Sequence, residues 1–259
     1  MKLTLPSVKH KFLSPETNLK LIEENAKDTD IAVFPEMFIT GYSLKNRMLR
    51  YAEPLHGKIG ERLSRIAEEY GTTIVAGMPE FDLEKRMVFN SAVIAMPDGR
   101  LESYRKQKLA TFGPFEEALF FAPGEEKYPV FEVSGIRAGI LICYELFFPE
   151  IAKEYALKSA DLLICISASP STTKKFFESV LKARSIENTV FVAYSNLLGT
   201  EQNLVFWGGQ RLYDPRGELV ANIEPYTHGK LIAEIEEEKL KIARKLRPTI
   251  ADTHNLECK

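Results

Sequence analysis

The chain has 259 residues, 45% hydrophobic and 27% charged, the balance of a globular protein able to bury a sizeable core. Its formal net charge of −2 gives no electrostatic reason to expect nucleic acid or an anionic membrane as partner. No run approaches the ~18 consecutive apolar residues of a membrane helix. The opening Met1-Lys-Leu-Thr-Leu-Pro6 lacks the apolar core and cleavage site of a secretory signal. Cys143, Cys165 and Cys258 are too few and too scattered for a disulfide framework, so a reduced, cytoplasmic protein is expected.

With no Gly/Ser linker, low-complexity tract or fixed-period repeat, residues 1–259 read as a single domain. Ser14-Pro15-Glu16 opens a helix with Leu19, Ile22 and Ala26 at helical spacing. Asp30 to Pro35 is a short buried strand. A second helix runs from Gly60 to Tyr70 and stops at Gly71. Thr72–Ala76, Val88–Met96 and Leu101–Lys106 read as strands, the last two joined through Pro97-Asp98-Gly99.

Beyond these, Ile136–Cys143, Asp161–Ser167 and Val190–Ser195 are strands separated by helices at Phe148–Lys158 and Thr173–Asn188. A hairpin follows from about Trp207 to Ile223, around Asp214-Pro-Arg-Gly217. Gly229–Ile235 is a last strand before a charged helix. Interleaved strands and helices predict an α/β fold, with the apolar strands 136–143 and 161–167 in central positions covered on both faces.

Three segments carry candidate chemistry. Glu36 follows a buried strand in Phe34-Pro-Glu-Met-Phe38. A carboxylate among apolar residues tends to hold its proton, as a base that later serves as acid requires, although an ion-paired strand end fits equally well. Lys106 and Lys108 end the strand at Tyr104-Arg-Lys-Gln-Lys108 and share one face by alternation, so periodicity does not choose between them. Cys143 closes Gly139-Ile-Leu-Ile-Cys143, where a strand-to-helix corner can expose a nucleophile beside free backbone N–H groups. A free cysteine in that position is ordinarily a small hydrophobe, as Cys165 inside Leu162–Ile166 is expected to be; Cys258 is incidental. His10, His56, His228 and His254 lie in no catalytic or metal-binding motif.

In order and spacing, Phe34-Pro-Glu36 with Gly41-Tyr42, Tyr104-Arg-Lys106, Glu117-x-x-x-Phe121-x-Pro-Gly124 and Ile142-Cys-Tyr-Glu145 resemble the nitrilase (carbon–nitrogen hydrolase) superfamily. The likeness extends to Ala183-Arg-Ser-Ile-Glu-Asn188 and to Gly208-Gly209 ahead of Asp214-Pro-Arg-Gly-Glu218. It implies Cys143 as nucleophile, Glu36 as general base, Lys106 as charge stabiliser and Glu117, with Glu116 competing, as a second glutamate. Three departures stand near the expected pocket: Lys108 where many members have histidine, a longer segment between Lys106 and Glu117, and Phe147 where arginine is common.

The resemblance further implies a four-layer α-β-β-α sandwich, at least a homodimer, no cofactor, and a small-molecule amide or nitrile as substrate. Thioester formation on Cys143 is expected, with Lys106 and the Tyr144 backbone N–H holding the oxyanion. Tyr42, Phe112, Phe115, Phe147 and Trp207 are candidates for an apolar pocket. Amide hydrolysis is the first expectation and nitrile hydrolysis the second; a non-catalytic binding member of the fold is the alternative from another class.

Overall fold

The computed structural model describes residues 1–125 and 128–257, so Cys258 lies outside the described residues. The first half of the chain forms β1 (Lys2–Ser7), α1 (Pro15–Asn25), β2 (Ile31–Val33), α2 (Met48–Tyr51), α3 (Lys58–Tyr70), β3 (Thr73–Asp82), β4 (Met87–Ala95) and β5 (Leu101–Arg105). The second begins with β6 (Val130–Val133), β7 (Ile136–Ile142), α4 (Pro149–Leu157), β8 (Leu162–Ser167), α5 (Lys174–Asn188) and β9 (Phe191–Asn196). Strands β10 (Leu198–Glu201), β11 (Leu204–Trp207), β12 (Arg211–Tyr213), β13 (Leu219–Asn222) and β14 (Gly229–Glu234) precede α6 (Glu237–Leu246) and α7 (Thr249–Glu257).

Two six-stranded sheets result, ordered β14-β1-β2-β3-β4-β5 and β13-β12-β9-β8-β7-β6. Each has a parallel centre, β1-β2-β3 in one and β7-β8-β9 in the other, widened by antiparallel neighbours. Strand alternation sorts the side chains of the first sheet. Ile31, Val33, Val75 and Ile94 join the core shared with the second sheet. Ala32, Phe34, Ile74, Ala76 and Val93 turn outward to meet Leu19 and Ile22 of α1 and Leu63 and Ile66 of α3. On the far side, Ile151 and Tyr155 of α4 and Phe177 and Leu181 of α5 cover the second sheet. The layering is α-β-β-α, as the sequence resemblance implies. Among the described residues no helix is long and apolar enough to cross a membrane.

The buried strands β7 and β8 occupy internal positions, and Cys165 is fully buried in β8. Gly71 ends α3 in the left-handed region, φ 62°, its N–H bonded to Ala67 O. Ser14 precedes α1, but its hydroxyl meets Thr17 Oγ1 at 2.8 Å instead of capping the helix backbone.

Several expectations need correction. The strand beginning near Thr72 does not stop at Ala76, because β3 stays paired with β4 as far as Asp82. Strand β1, unforeseen because of Pro6, tolerates that residue because β2 pairs only with Leu3 and Thr4. The β10–β11 hairpin turns through Gln202 at φ 48° rather than through a glycine signal. Strand β5 ends at Arg105 and β7 at Ile142, one residue before each expected end. Lys106 and Lys108 therefore do not share a strand face: Lys106 is buried, and Lys108 is exposed with Nζ 5.7 Å from the Phe148 ring centre.

One glycine ties the sheet to the segment after β2. A Cβ on Gly77 would stand 2.2 Å from Met37 N and 2.6 Å from Glu36 Cα. Gly77→Ala is expected to lower stability by about 1–3 kcal/mol in urea unfolding, the usual cost of overpacking. It should also shift Glu36, and unchanged unfolding would show that the contact relaxes freely.

Candidate active site

The ends of β2, β5, β7 and β8 meet on one side of the sandwich. Glu36, three residues past β2, is fully buried. Its Oε1 accepts from Lys106 Nζ at 2.9 Å and Asn90 Nδ2 at 2.8 Å. Its Oε2 accepts from the Ala168 backbone N–H at 2.7 Å, a bond that joins the two sheets.

Lys106, also fully buried, donates a second bond to Glu117 Oε1 at 2.8 Å. An ammonium has three donors, so two are engaged and one is left for a ligand. Glu117 lies in a short 3₁₀ turn, Glu117–Leu119, where it also accepts from Tyr42 Oη at 2.8 Å and from the Ala110 N–H at 2.8 Å. Its competitor Glu116 is half-exposed and faces Lys45 at 3.6 Å. Glu117, not Glu116, is the carboxylate at the lysine.

Cys143 begins the 3₁₀ turn Cys143–Phe147 with φ 52°. A left-handed φ on a non-glycine residue signals backbone strain, which surrounding contacts must hold. Glu145 supplies part of that hold. Its fully buried carboxylate accepts from Ile142 N–H (2.9 Å), Gln107 N–H (2.7 Å) and Tyr104 Oη (2.8 Å), tying the cysteine turn to the lysine segment. Arg184 of α5 donates from Nε to Leu146 O at 2.9 Å and from a guanidinium nitrogen to Glu187 at 2.8 Å.

The charges act strongly on one another. Burial raises the pKa of Glu36, while Lys106 and Asn90 oppose the rise. Burial alone would lower that of Lys106, but the carboxylates of Glu117 and Glu36 overcome it and hold the ammonium well above its ordinary range. Burial, reinforced by the Glu36 carboxylate, pushes the Cys143 thiol up, against the pull of Lys106. Burial thus disfavours the thiolate form of a cysteine that sits beside the Glu36–Lys106–Glu117 array. The hydroxyl of Ser167 lies near enough to favour a thiolate, yet it has no hydrogen bond of ordinary geometry. Among the described residues, no hydrogen bond joins the sulfur to Glu36 or Lys106; their influence on it is through charge. Among the described residues no group of three or more His, Cys, Asp or Glu is placed to hold a metal ion.

A cavity of about 220 Å³ opens onto Cys143, and Phe112, Phe115, Tyr144 and Phe147 line it. Two pocket candidates fall elsewhere. Trp207 is fully buried, stacked on Tyr194 at 5.3 Å, with Nε1 bonded to Ser169 Oγ at 3.2 Å. Tyr42 lines a neighbouring cleft and meets the site through its bond to Glu117 and an edge-on contact with Phe115 at 6.1 Å between centroids.

Sequence reasoning missed three supports. Glu145 and Asn90 are polar residues inside apolar runs, the same signal that singled out Glu36. Buried His10 meets Glu201 with Nε2 2.5 Å from Oε1, and Glu201 accepts the N–H groups of Tyr42 and Ser43 at 3.1 and 2.8 Å. Only the fold brings that pair together.

A family profile described as "Carbon-nitrogen hydrolase" matches residues 10–245. An omega-amidase of Xenopus tropicalis is 34% identical over 212 residues, 78% of this chain and 75% of the relative. A nitrilase of Pyrococcus abyssi is 30% identical over 244 residues, 91% of this chain and 90% of the other. Among solved structures, a CN-hydrolase superfamily protein of Xanthomonas campestris with an arsenic adduct in its active site superposes with a TM-score of 0.89. It is 26% identical, and the match covers 97% of this chain and 96% of that one.

Removing Glu117 leaves Lys106 with Glu36 alone and deprives the Tyr42 hydroxyl and the Ala110 N–H of their acceptor. Glu117→Ala is expected to cost about 3–5 kcal/mol in denaturant unfolding. Glu116→Ala, at the exposed pair, should cost under about 1 kcal/mol; equal losses would contradict the assignment of the lysine's partner.

Proposed function

The chain belongs to the carbon–nitrogen hydrolase family, enzymes that hydrolyse carbon–nitrogen bonds outside peptides, and from that premise we propose that it is an amidase working through a thioester on Cys143. The observation that carries this reading is the wholly buried Lys106 ammonium, shared by two carboxylates and electrostatically coupled to a cysteine on a strained turn.

Substrate binds with its carbonyl carbon against Sγ. The thiol proton passes to Glu36 as the C–S bond forms, so negative charge moves from carboxylate to carbonyl oxygen. The third Lys106 donor and the Tyr144 backbone N–H hold that oxygen, donors of a kind worth roughly 3–4 kcal/mol each. The C–N bond then breaks, and protonated Glu36 returns its proton to the departing nitrogen. Water attacks the thioester while Glu36 takes one of its protons. Collapse releases the acid, and the proton on Glu36 restores the thiol. Glu117 touches no reacting atom; it positions Lys106 and keeps it charged.

Ammonia release from a panel of amides and nitriles tests this reading. Amides should be hydrolysed, and Cys143→Ala should lose at least about 10⁴-fold in kcat, the scale seen when a covalent nucleophile is removed. Lys106→Ala should abolish turnover, whereas Lys108→Ala should change it only a few-fold, roughly. Turnover of nitriles alone would make the enzyme a nitrilase, and activity surviving in Cys143→Ala would move the search to another nucleophile.

A further inference from the structure

The cavity over Cys143 is bounded by rings. Phe112 meets Tyr144 at 4.8 Å and Phe115 at 5.6 Å between centroids; Phe147 meets Tyr144 at 6.2 Å and Phe177 edge-on at 5.0 Å. Phe176, 61% exposed, forms part of the rim. No lysine, arginine or histidine is among the residues lining it. The one carboxylate in its wall, Glu117, already accepts from Lys106, Tyr42 and the Ala110 N–H. Ser169 and Thr173 add hydroxyls, but they bond to each other at 2.7 Å.

Several cations on the surrounding segments are engaged elsewhere, while Lys175, next to Phe176, is exposed on α5 and does not line the cavity. Lys106 serves the reacting oxygen, Lys174 pairs with Glu178 at 3.0 Å, and Arg184 is held by Leu146 O and Glu187. Lys108 lies over the Phe148 ring. An acyl chain ending in a carboxylate would lose its hydration in this chamber, gain no counter-charge, and face Glu117. An apolar chain would lose only unfavourable contact with water, and an aryl group would also find ring edges and faces to pack on.

Size limits the substrate from both ends. About 220 Å³ is the room of roughly seven waters at ~30 Å³ each, enough for a branched alkyl or single-ring acyl group. Glu36 and Lys106 are fully buried and neither lines the cavity, so the space beside Cys143 has to hold both the acyl group and any substituent on the departing nitrogen.

We infer that this site selects primary amides of small uncharged acids, branched aliphatic or aryl, and rejects amides whose acyl chain ends in a carboxylate. The inference rests on the amidase reading above and narrows it.

Two readouts keep the claims separate. In steady-state turnover by the full chain, benzamide and isobutyramide should exceed succinamate by at least about 100-fold in kcat/KM, the upper range of discrimination by an apolar pocket. Calorimetry on Cys143→Ala, which cannot form the thioester, should give tighter binding of the apolar amides than of succinamate. Phe176→Arg, a change at the exposed rim, should raise the succinamate-to-benzamide ratio about tenfold by placing a cation at the mouth. Equal or preferential turnover or binding of succinamate by the unaltered pocket would overturn the inference and leave the amidase reading standing. Selective binding of apolar amides with no hydrolysis by the unaltered chain would support the pocket assignment and overturn the amidase reading instead.

Discussion

The ammonium of Lys106 lies between the carboxylates of Glu36 and Glu117 with no solvent exposure, and the surrounding structure must satisfy that array. Desolvating three charges is costly, and Coulomb attraction compensates only when the remaining lone pairs are bonded as well. Here they are bonded from separate elements: Asn90 of β4 and the Ala168 N–H serve Glu36, while Tyr42 and the Ala110 N–H serve Glu117. Burial first, and Glu36 within the array second, raise the pKa of the neighbouring thiol, and in the proposed reaction Glu36 would take the thiol proton when sulfur attacks.

The sandwich is what makes this arrangement affordable to a chain of this size. Glu36 and Lys106 come from the first sheet, whereas Cys143 and Ala168 come from the second, so the core between the sheets fixes their separation. Glu145 works at the same seam. Its carboxylate bonds to backbone on both sides, at Gln107 and at Ile142, and transmits the position of one strand end to the other. Strain at Cys143 is tolerable because Glu145 and Arg184 brace its turn from two directions.

Much of this was legible in the sequence, for identifiable reasons. Apolar runs such as Ile136–Ile142 and Leu162–Ser167 announce buried parallel strands, and those are the strands that carry the site. Glu36 was visible as a carboxylate stranded among apolar neighbours. Strand alternation leaves Lys106 and Lys108 open, since that choice depends on where β5 stops, and it is the Tyr104-Arg-Lys106 triplet of the family resemblance that points to Lys106. The segment between Ala110 and Phe121 has no periodicity to separate Glu116 from Glu117; the spacing to Phe121-x-Pro-Gly124 in the family resemblance points to Glu117, with Glu116 competing. Trp207 looked suited to a pocket because aromatic residues line pockets and cores alike, and only packing on Tyr194 decides for the core. The His10–Glu201 pair spans 191 positions of sequence, a pairing no local pattern encodes.

In the proposed reaction the Cys143 thiol is kept protonated by burial, with Glu36 reinforcing it, until substrate arrives. The rate of Cys143 alkylation by iodoacetamide, followed by peptide mapping as a function of pH, measures that directly in the wild-type chain and in Glu36→Gln. Glu36 holds the thiol pKa up and Lys106 pulls it down. Neutralising the carboxylate should therefore move the profile to lower pH, giving a cysteine that alkylates faster at neutral pH while amide turnover is lost. A profile that stays in place or moves to higher pH would contradict this, because Glu36 would then not be holding the thiol pKa up.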